Sequence, residues 1–302
     1  MYQEIARNKR KTILLIGFFL IIISAIGYIT GLYLDLGYGP LALAVIISII
    51  MSLVSYFSGD KVALAMSGAK QIDAQQNPYV FHLVENLAIT AGVPMPKVYL
   101  INDTAMNAFA TGRDPQHASI AVTTGLVQAL ENEELEGVIA HELSHIKNLD
   151  IRVMTVAIIC VGIIALLADW MMRGYFWGGN RRSSNDNKGA GGVLIIIGLV
   201  LAILAPIFAQ LLQLAISRKR EYLADASGSL LTRYPEGLAR ALEKISHSQP
   251  MRQVNRATAH LFISEPGLNG SGEKSTVKIG KLASLFSTHP PIAERVAKLR
   301  GM

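Results

Sequence analysis

The sequence predicts a mostly α-helical integral membrane protein with a small β-sheet, built from two transmembrane helical hairpins and one soluble domain. Three observations predict it. The 302 residues are 51% hydrophobic yet 17% charged, too apolar for an ordinary soluble domain and too charged for a pure membrane bundle. Long apolar runs occur in two pairs. Stretches of scattered charge follow each pair, and one of them carries His141-Glu142-Leu143-Ser144-His145.

The first pair fills residues 1–57. Arg7, Lys9, Arg10 and Lys11 precede Ile13–Leu34, a nearly uncharged run of about 22 residues, enough to cross ~30 Å of hydrocarbon at 1.5 Å per residue. It is too long for the apolar core of a cleaved signal peptide. A turn, Asp35 to Pro40, leads to the second run, Leu41–Phe57. The second pair fills residues 151–216, with runs at about Val153–Met172 and Val193–Ile216. The Gly/Asn/Ser-rich stretch between them reads as a loop, with Trp170, Tyr175, Phe176 and Trp177 where interfacial aromatics belong. Buried soluble-core helices are the alternative for this second pair.

Residues 58–150 and 217–302 read as two parts of one soluble domain. Gln76–Ala91 has the pattern of an amphipathic helix opened by Asn77-Pro78. Lys97–Ile101, Asn107–Gly112 and Ser119–Thr123 read as short strands, the last two joined by a turn around Arg113-Asp114-Pro115. In the second part, Leu238–Ile245 is amphipathic, Glu265–Ser275 is a Gly/Ser-rich loop, and Thr288-His289-Pro290-Pro291 opens a last helix. His82, His117, His247 and His260 read as surface or packing histidines.

The pentapeptide lies on a helix by its surroundings. Asn132 is the expected N-cap, and Glu133, Glu134 and Glu136 favour the positive end of the helix dipole. Leu135, Val138, Ile139, Leu143 and Ile146 recur at helical spacing. One turn apart, His141 and His145 can meet one metal ion, with zinc the usual occupant, and Glu142 can reach a water beside it. Cys160 is the only cysteine, so the site needs His and carboxylate ligands.

A catalytic zinc takes a third protein ligand and keeps one position open. Glu221 is the expected ligand. It starts a Glu-x-x-x-Asp pattern that places Asp225 one turn on, able to accept a hydrogen bond from the free ring nitrogen of His141. The alternative is an acidic helix end paired with a neighbouring arginine. Net charge is +6, and its source is read as juxtamembrane Lys and Arg rather than a nucleic-acid surface. Arg7, Lys9, Arg10, Lys11, Lys61, Lys70, Lys147, Arg152, Arg218, Lys219 and Arg220 flank one side of the spans, against Arg173, Arg181, Arg182 and Lys188 on the other. That bias predicts a multi-pass cell-membrane protein with cytoplasmic termini and soluble parts. Glu221 and His145 would then lie within roughly 8 to 12 Å of the membrane face.

Several motifs together resemble one family. Asn107-Ala108-Phe109-Ala110-Thr111-Gly112, Val122-Thr123-Thr124-Gly125, His141 to His145, Arg220-Glu221-Tyr222-Leu223-Ala224-Asp225 and Thr288 to Pro291 occur in the order seen in HtpX-type membrane zinc metallopeptidases. These share a family with the prenyl-protein endopeptidases. The resemblance covers nearly the whole chain. It implies a zincin-like domain of the gluzincin type, one Zn²⁺ per chain, and proteolytic quality control of membrane polypeptides, with self-cleavage common in the family. Glu142 would be the general base, and His289 would by resemblance steady the oxyanion. Asn107 opens a strand whose exposed edge would pair with an extended substrate; plain strand packing is the alternative. Arg295 is left with an acid near the site as its candidate partner. A prenyl-protein-type processing enzyme and a non-catalytic metal-binding scaffold are the competing functions; four spans argue against the first and an intact Glu142 against the second.

Overall fold

A computed structural model describes residues 2–33, 35–157, 159–160, 162–164, 218–251, 261–264 and 290–302. The expected fourth span, half of the third, the interfacial aromatics, the loop at 265–275, His260 and His289 lie outside the described residues.

Two helices pack as neighbours at the N-terminus, α1 (Tyr2–Tyr33) and α2 (Gly39–Met66). Both are long and apolar enough to cross a membrane. Their outer faces carry exposed Ile13, Leu14, Ile21, Leu43, Ile46 and Leu53, which water would not tolerate as a continuous surface. Both helices exceed the apolar runs that announced them. Hydropathy marks only the part inside hydrocarbon, whereas helical hydrogen bonding continues into polar sequence. Thus α1 includes the basic segment before Ile13, and α2 continues past the boundary drawn at Phe57 to Met66.

A four-stranded sheet follows, in the order β1-β2-β4-β3. Its strands are β1 (Lys70–Ile72), β2 (Lys97–Ile101), β3 (Ala108–Gly112) and β4 (Ala118–Thr123). The pairing β2–β4 is parallel, with Tyr99 opposite Ala121; β1–β2 and β3–β4 are antiparallel. The strand β1 has three residues, too few for a period-two signal, so the sequence did not announce it. Between β1 and β2, α3 (Pro78–Ala91) begins as expected: the Asn77 side chain accepts from the Val80 amide at 3.1 Å. Left-handed Gly92 (φ +66°) ends it.

Both faces of β3 and β4 are covered. Ala108, Ala110, Ile120 and Val122 join the core built by α3 and α5 (Asn132–Lys147). Phe109 and Ala121 point the other way, against Ala63 and Leu64 of α2, Val153, Met154 and Phe262. A short α4 (Thr124–Ala129) leads into α5.

The helix α5 is the centre of the domain. Leu135, Val138, Ile139, Leu143 and Ile146 are all 0% exposed, each burial contributing about 1.5–3 kcal/mol. The sequence showed one inward stripe, but the opposite face is buried too, because α6 (Arg218–Thr232) covers the histidines and α7 (Pro235–Ser246) covers the N-terminal half. The N-cap is Glu131 rather than Asn132: the Glu134 carboxylate reaches back to the Glu131 amide at 2.8 Å and leaves Asn132 as the first helical residue. The last helix, α8 (Ile292–Arg300), starts one residue after Pro291, so the prolines precede its first turn.

Candidate metal centre

His141 and His145 leave α5 on one face, with ring centroids 4.7 Å apart and planes nearly perpendicular. Each ring is oriented through its Nδ1 atom. His141 Nδ1 lies 3.0 Å from Asp225 Oδ1, and His145 Nδ1 lies 3.0 Å from Asp150 Oδ2. A carboxylate accepts, so each Nδ1 points its proton outward and each Nε2 is the atom left to face the centre. The two Nε2 atoms are 3.1 Å apart and face the same point.

Glu221 closes this point from α6. Its Oε2 is 3.8 Å from His141 Nε2 and its Oε1 is 3.6 Å from His145 Nε2. The group His141, His145 and Glu221 can hold a metal ion, and all three residues are buried. A tetrahedral zinc with ~2.0–2.1 Å bonds separates its ligand atoms by about 3.3 Å, inside the spread seen here. Two imidazole nitrogens and a carboxylate, all buried and converging on one point, suit a cation, so the donor set fits zinc.

Why α6 comes so close is legible in its spacing. Glu221, Asp225 and Gly228 fall on one helical face. A Cβ at Gly228 would meet the His141 backbone nitrogen at 2.9 Å. Only a hydrogen at this position lets the two backbones approach enough for a short Glu and a shorter Asp to reach the histidines.

Arg295, fully buried on α8, finds its acid here. Its Nε and Nη2 donate to the two oxygens of Asp225 at 2.9 and 2.6 Å, and Nη1 is 3.8 Å from Glu221 Oε2. Burial alone would raise the Asp225 pKa; the charge of Arg295 and the hydrogen bond from His141 reverse that and hold it at about 2. The guanidinium is raised above its usual range: desolvation lowers it, but Asp225, Glu221 and Glu142 outweigh that. Arg300 fastens α8 to α7 through Glu236 and Glu243, and Tyr222 of α6 donates to Glu294 at 2.8 Å.

Asp150 is the residue that sequence reasoning missed. On a continuous helix, a position five residues after His145 points away from it. The chain breaks instead: α5 ends at Lys147, Leu149 adopts φ +59°, and a new helical run begins at Asp150. That left-handed residue costs about 1–2 kcal/mol and turns the carboxylate back onto the ring. The Leu149-Asp150 pair carries no periodic signal, so only its nearness to the motif could have flagged it. Burial lowers the His145 pKa, but the Asp150 hydrogen bond and the charges of Glu221, Asp150 and Glu142 raise it to about 9. The imidazole is thus held where a cation is favoured.

Glu142 is 3% exposed and close enough to act on both His145 and Arg295. Of the two readings of Asn107, packing is the one that its surroundings favour. The edge at its position is not exposed: its amide donates to the Ser264 carbonyl at 2.8 Å, and the Ile263 amide donates to the Ala108 carbonyl at 2.9 Å. The residue is 2% exposed and binds the chain's own backbone. His82 and His117 are exposed and pair with Glu85 and Asp114, and His247 is exposed at the end of α7, as expected of surface histidines.

This arrangement, an H-E-x-x-H helix with a glutamate from a second helix beside two membrane-length helices, defines a membrane metallopeptidase. Residues 74–302 match the family model "Peptidase family M48", and the chain belongs to that family, whose members are zinc-dependent. It is similar to proteins named Protease HtpX homolog: 48% identical over the full length of both chains in Streptococcus uberis, and 44% in Ligilactobacillus salivarius, again over all of both. The relative from Caldanaerobacter subterraneus is 46% identical over all of this chain and 98% of its own. Among solved structures, that of S. mikatae Ste24p aligns with TM-score 0.48 and 18% identity, covering 99% of this chain and 67% of the other.

Proposed function

We propose that the protein is a multi-pass zinc endopeptidase of the cell membrane that cleaves misfolded or damaged membrane proteins at the cytoplasmic face. The observation that carries the peptidase chemistry is the convergence of His141, His145 and Glu221 beside a buried Glu142. His141, His145 and Glu221 would hold the zinc, which when bound acidifies a water toward neutrality and polarises a peptide carbonyl. Glu142 takes the proton of that water on its carboxylate and returns it to the leaving amine. Asp225 and Asp150 keep the two rings oriented with Nε2 inward throughout. His289 is the proposed donor to the oxyanion.

Proximity to the bilayer supports a membrane substrate. Asn8 of α1 reaches the acid that orients His145, and the first apolar residue of the span, Ile13, follows five positions later. At 1.5 Å per residue the site then lies within about 10 Å of the hydrocarbon boundary. The basic residues before Ile13 favour a cytoplasmic placement. For an extended substrate, Ala110 is the proposed pairing position. Asn107 and Ala108 are already engaged, and alternate residues of β3 face away from β4.

The test uses detergent-purified full chain, with casein and then a destabilised membrane protein in proteoliposomes. Zinc bound to both wild type and Glu142→Gln, with cleavage at least about 100-fold lower in the variant and lost on chelation, supports the proposal. A fully active Glu142→Gln protein would sink the general-base assignment. Casein cleavage without cleavage in proteoliposomes would remove the membrane substrate.

A further inference from the structure

The carboxylate behind His145 is itself held by a residue of the first membrane helix. Asn8 is 0% exposed, while Arg7, Lys9 and Arg10 around it are exposed. Its side-chain amide donates to Asp150 Oδ1 at 2.7 Å and to the Asn148 carbonyl at 2.9 Å. Its side-chain oxygen accepts from Arg220 Nη1 at 2.8 Å, and that same guanidinium nitrogen is 3.2 Å from Asp150 Oδ1. One carboxamide therefore ties together the turn after α5, the first turn of α6, and the acid on a metal ligand.

We propose that Asn8 is a positioning residue of the metal centre, acting on His145 through Asp150, so that the zinc site is complete only with the N-terminal membrane helix in place. This rests on the reading of His141, His145 and Glu221 as the metal ligands. Asp150 has two oxygens and two tasks: Oδ2 orients the ring, and Oδ1 must be fixed for Oδ2 to stay in place. Arg220 supplies charge but not direction, since it sits on a helix that must also deliver Glu221. The rigid planar amide of Asn8, anchored outside both α5 and α6, supplies the direction. Such outer partners of a metal ligand are worth about 10–100-fold in metal affinity when removed.

Asn8 is also seated rather than stranded. Thr12 donates to its backbone carbonyl at 3.0 Å, and below it Leu15, Phe19, Ile22 and Ile23 continue the same inward stripe of α1 into the apolar packing. The position of the helix in the bilayer and the geometry of His145 are thereby linked through a rigid element. A soluble fragment beginning after α2 would lack this support.

Asn8→Leu keeps the branched side-chain shape, does not weaken the helix and removes every side-chain hydrogen bond. Full-length wild type, Asn8→Leu and, as a control on the same stripe, Ile22→Val are purified in detergent. Zinc affinity is measured by competition with a chromophoric chelator, the Co²⁺-substituted protein gives the ligand-field absorption spectrum, and casein cleavage gives kcat and KM. The expectation is a roughly 10–100-fold loss of zinc affinity, a shifted cobalt spectrum and lower kcat with KM little changed for Asn8→Leu, and wild-type values for Ile22→Val. If Asn8→Leu does not accumulate, Asn8→Ser carries the same readouts. Wild-type affinity and spectrum in the Asn8 variant, even with activity lost, would overturn the inference, because a purely structural anchor predicts that result. Absence of zinc in the wild type would overturn the ligand assignment with it.

Discussion

The two histidines of the centre are supported by arms of the same design and different origin. Behind His141 stand Asp225 of α6 and Arg295 of α8, the arginine using two nitrogens on the two carboxylate oxygens. Behind His145 stand Asp150, Arg220 and Asn8, the last from a membrane helix. The first arm is a closed, fully buried ion pair. The second divides one carboxylate among an imidazole, a guanidinium and an amide. On the proposed ligand set, the difference teaches that a metal would be held stiffly on one side by the packing of α6 and α8, while the other side depends on α1.

The comparison breaks most visibly at Arg295. Replacement by Met leaves Asp225 buried without its counter-charge, and the cost is expected to be about 3–5 kcal/mol of stability, measured by denaturant unfolding of the detergent-solubilised chain. Arg220→Met should cost less, since Asn8 still donates to Asp150. Equal losses would show that the arms are equivalent.

Asp225→Asn and Asp150→Asn come next. Each keeps shape and removes the charge that orients one ring, and each should lower zinc affinity about 10–100-fold in chelator competition. A loss confined to one variant would show that a single arm sets the geometry. Gly228→Ala tests the approach of α6 from which Asp225 and Glu221 both emerge. The added methyl, 2.9 Å from the His141 nitrogen, should cost about 1–3 kcal/mol and weaken zinc binding as well. Unchanged affinity would mean that the helices separate without moving Glu221. The smallest effect is expected at the far end of α5, where Glu134→Gln weakens the cap and the Lys244 contact. It should cost about 1 kcal/mol and leave zinc affinity alone, giving the baseline for the other variants.

How much of this was legible depends on whether the cause is local. Asp225 was found because it lies one helical turn from Glu221, a distance that sequence spacing encodes. Asp150, although only five residues from His145, was missed because the left-handed Leu149 interrupts the period that would have placed it. For Asn107 a free strand edge and plain strand packing both stayed open, because nothing in a strand pattern announces that a distant segment, Ile263-Ser264, will bond to it. The length of α1 was underestimated for a related reason: hydropathy reports where hydrocarbon begins, and Asn8 lies on the polar side of that boundary.

By itself the sequence determined the metal-binding face of α5, the carboxylate pair on α6 and the two N-terminal apolar helices, because each is written as a repeat within one element. Only the tertiary structure decided what stands behind the carboxylates that orient the two rings. Arg295 meets Asp225 across 70 residues, Asn8 meets Asp150 across 142 and Arg220 meets Asn8 across 212. No periodicity spans such separations. These partners are chosen by which buried charges and amides must be satisfied once the helices have packed, and that requirement exists only in the folded chain.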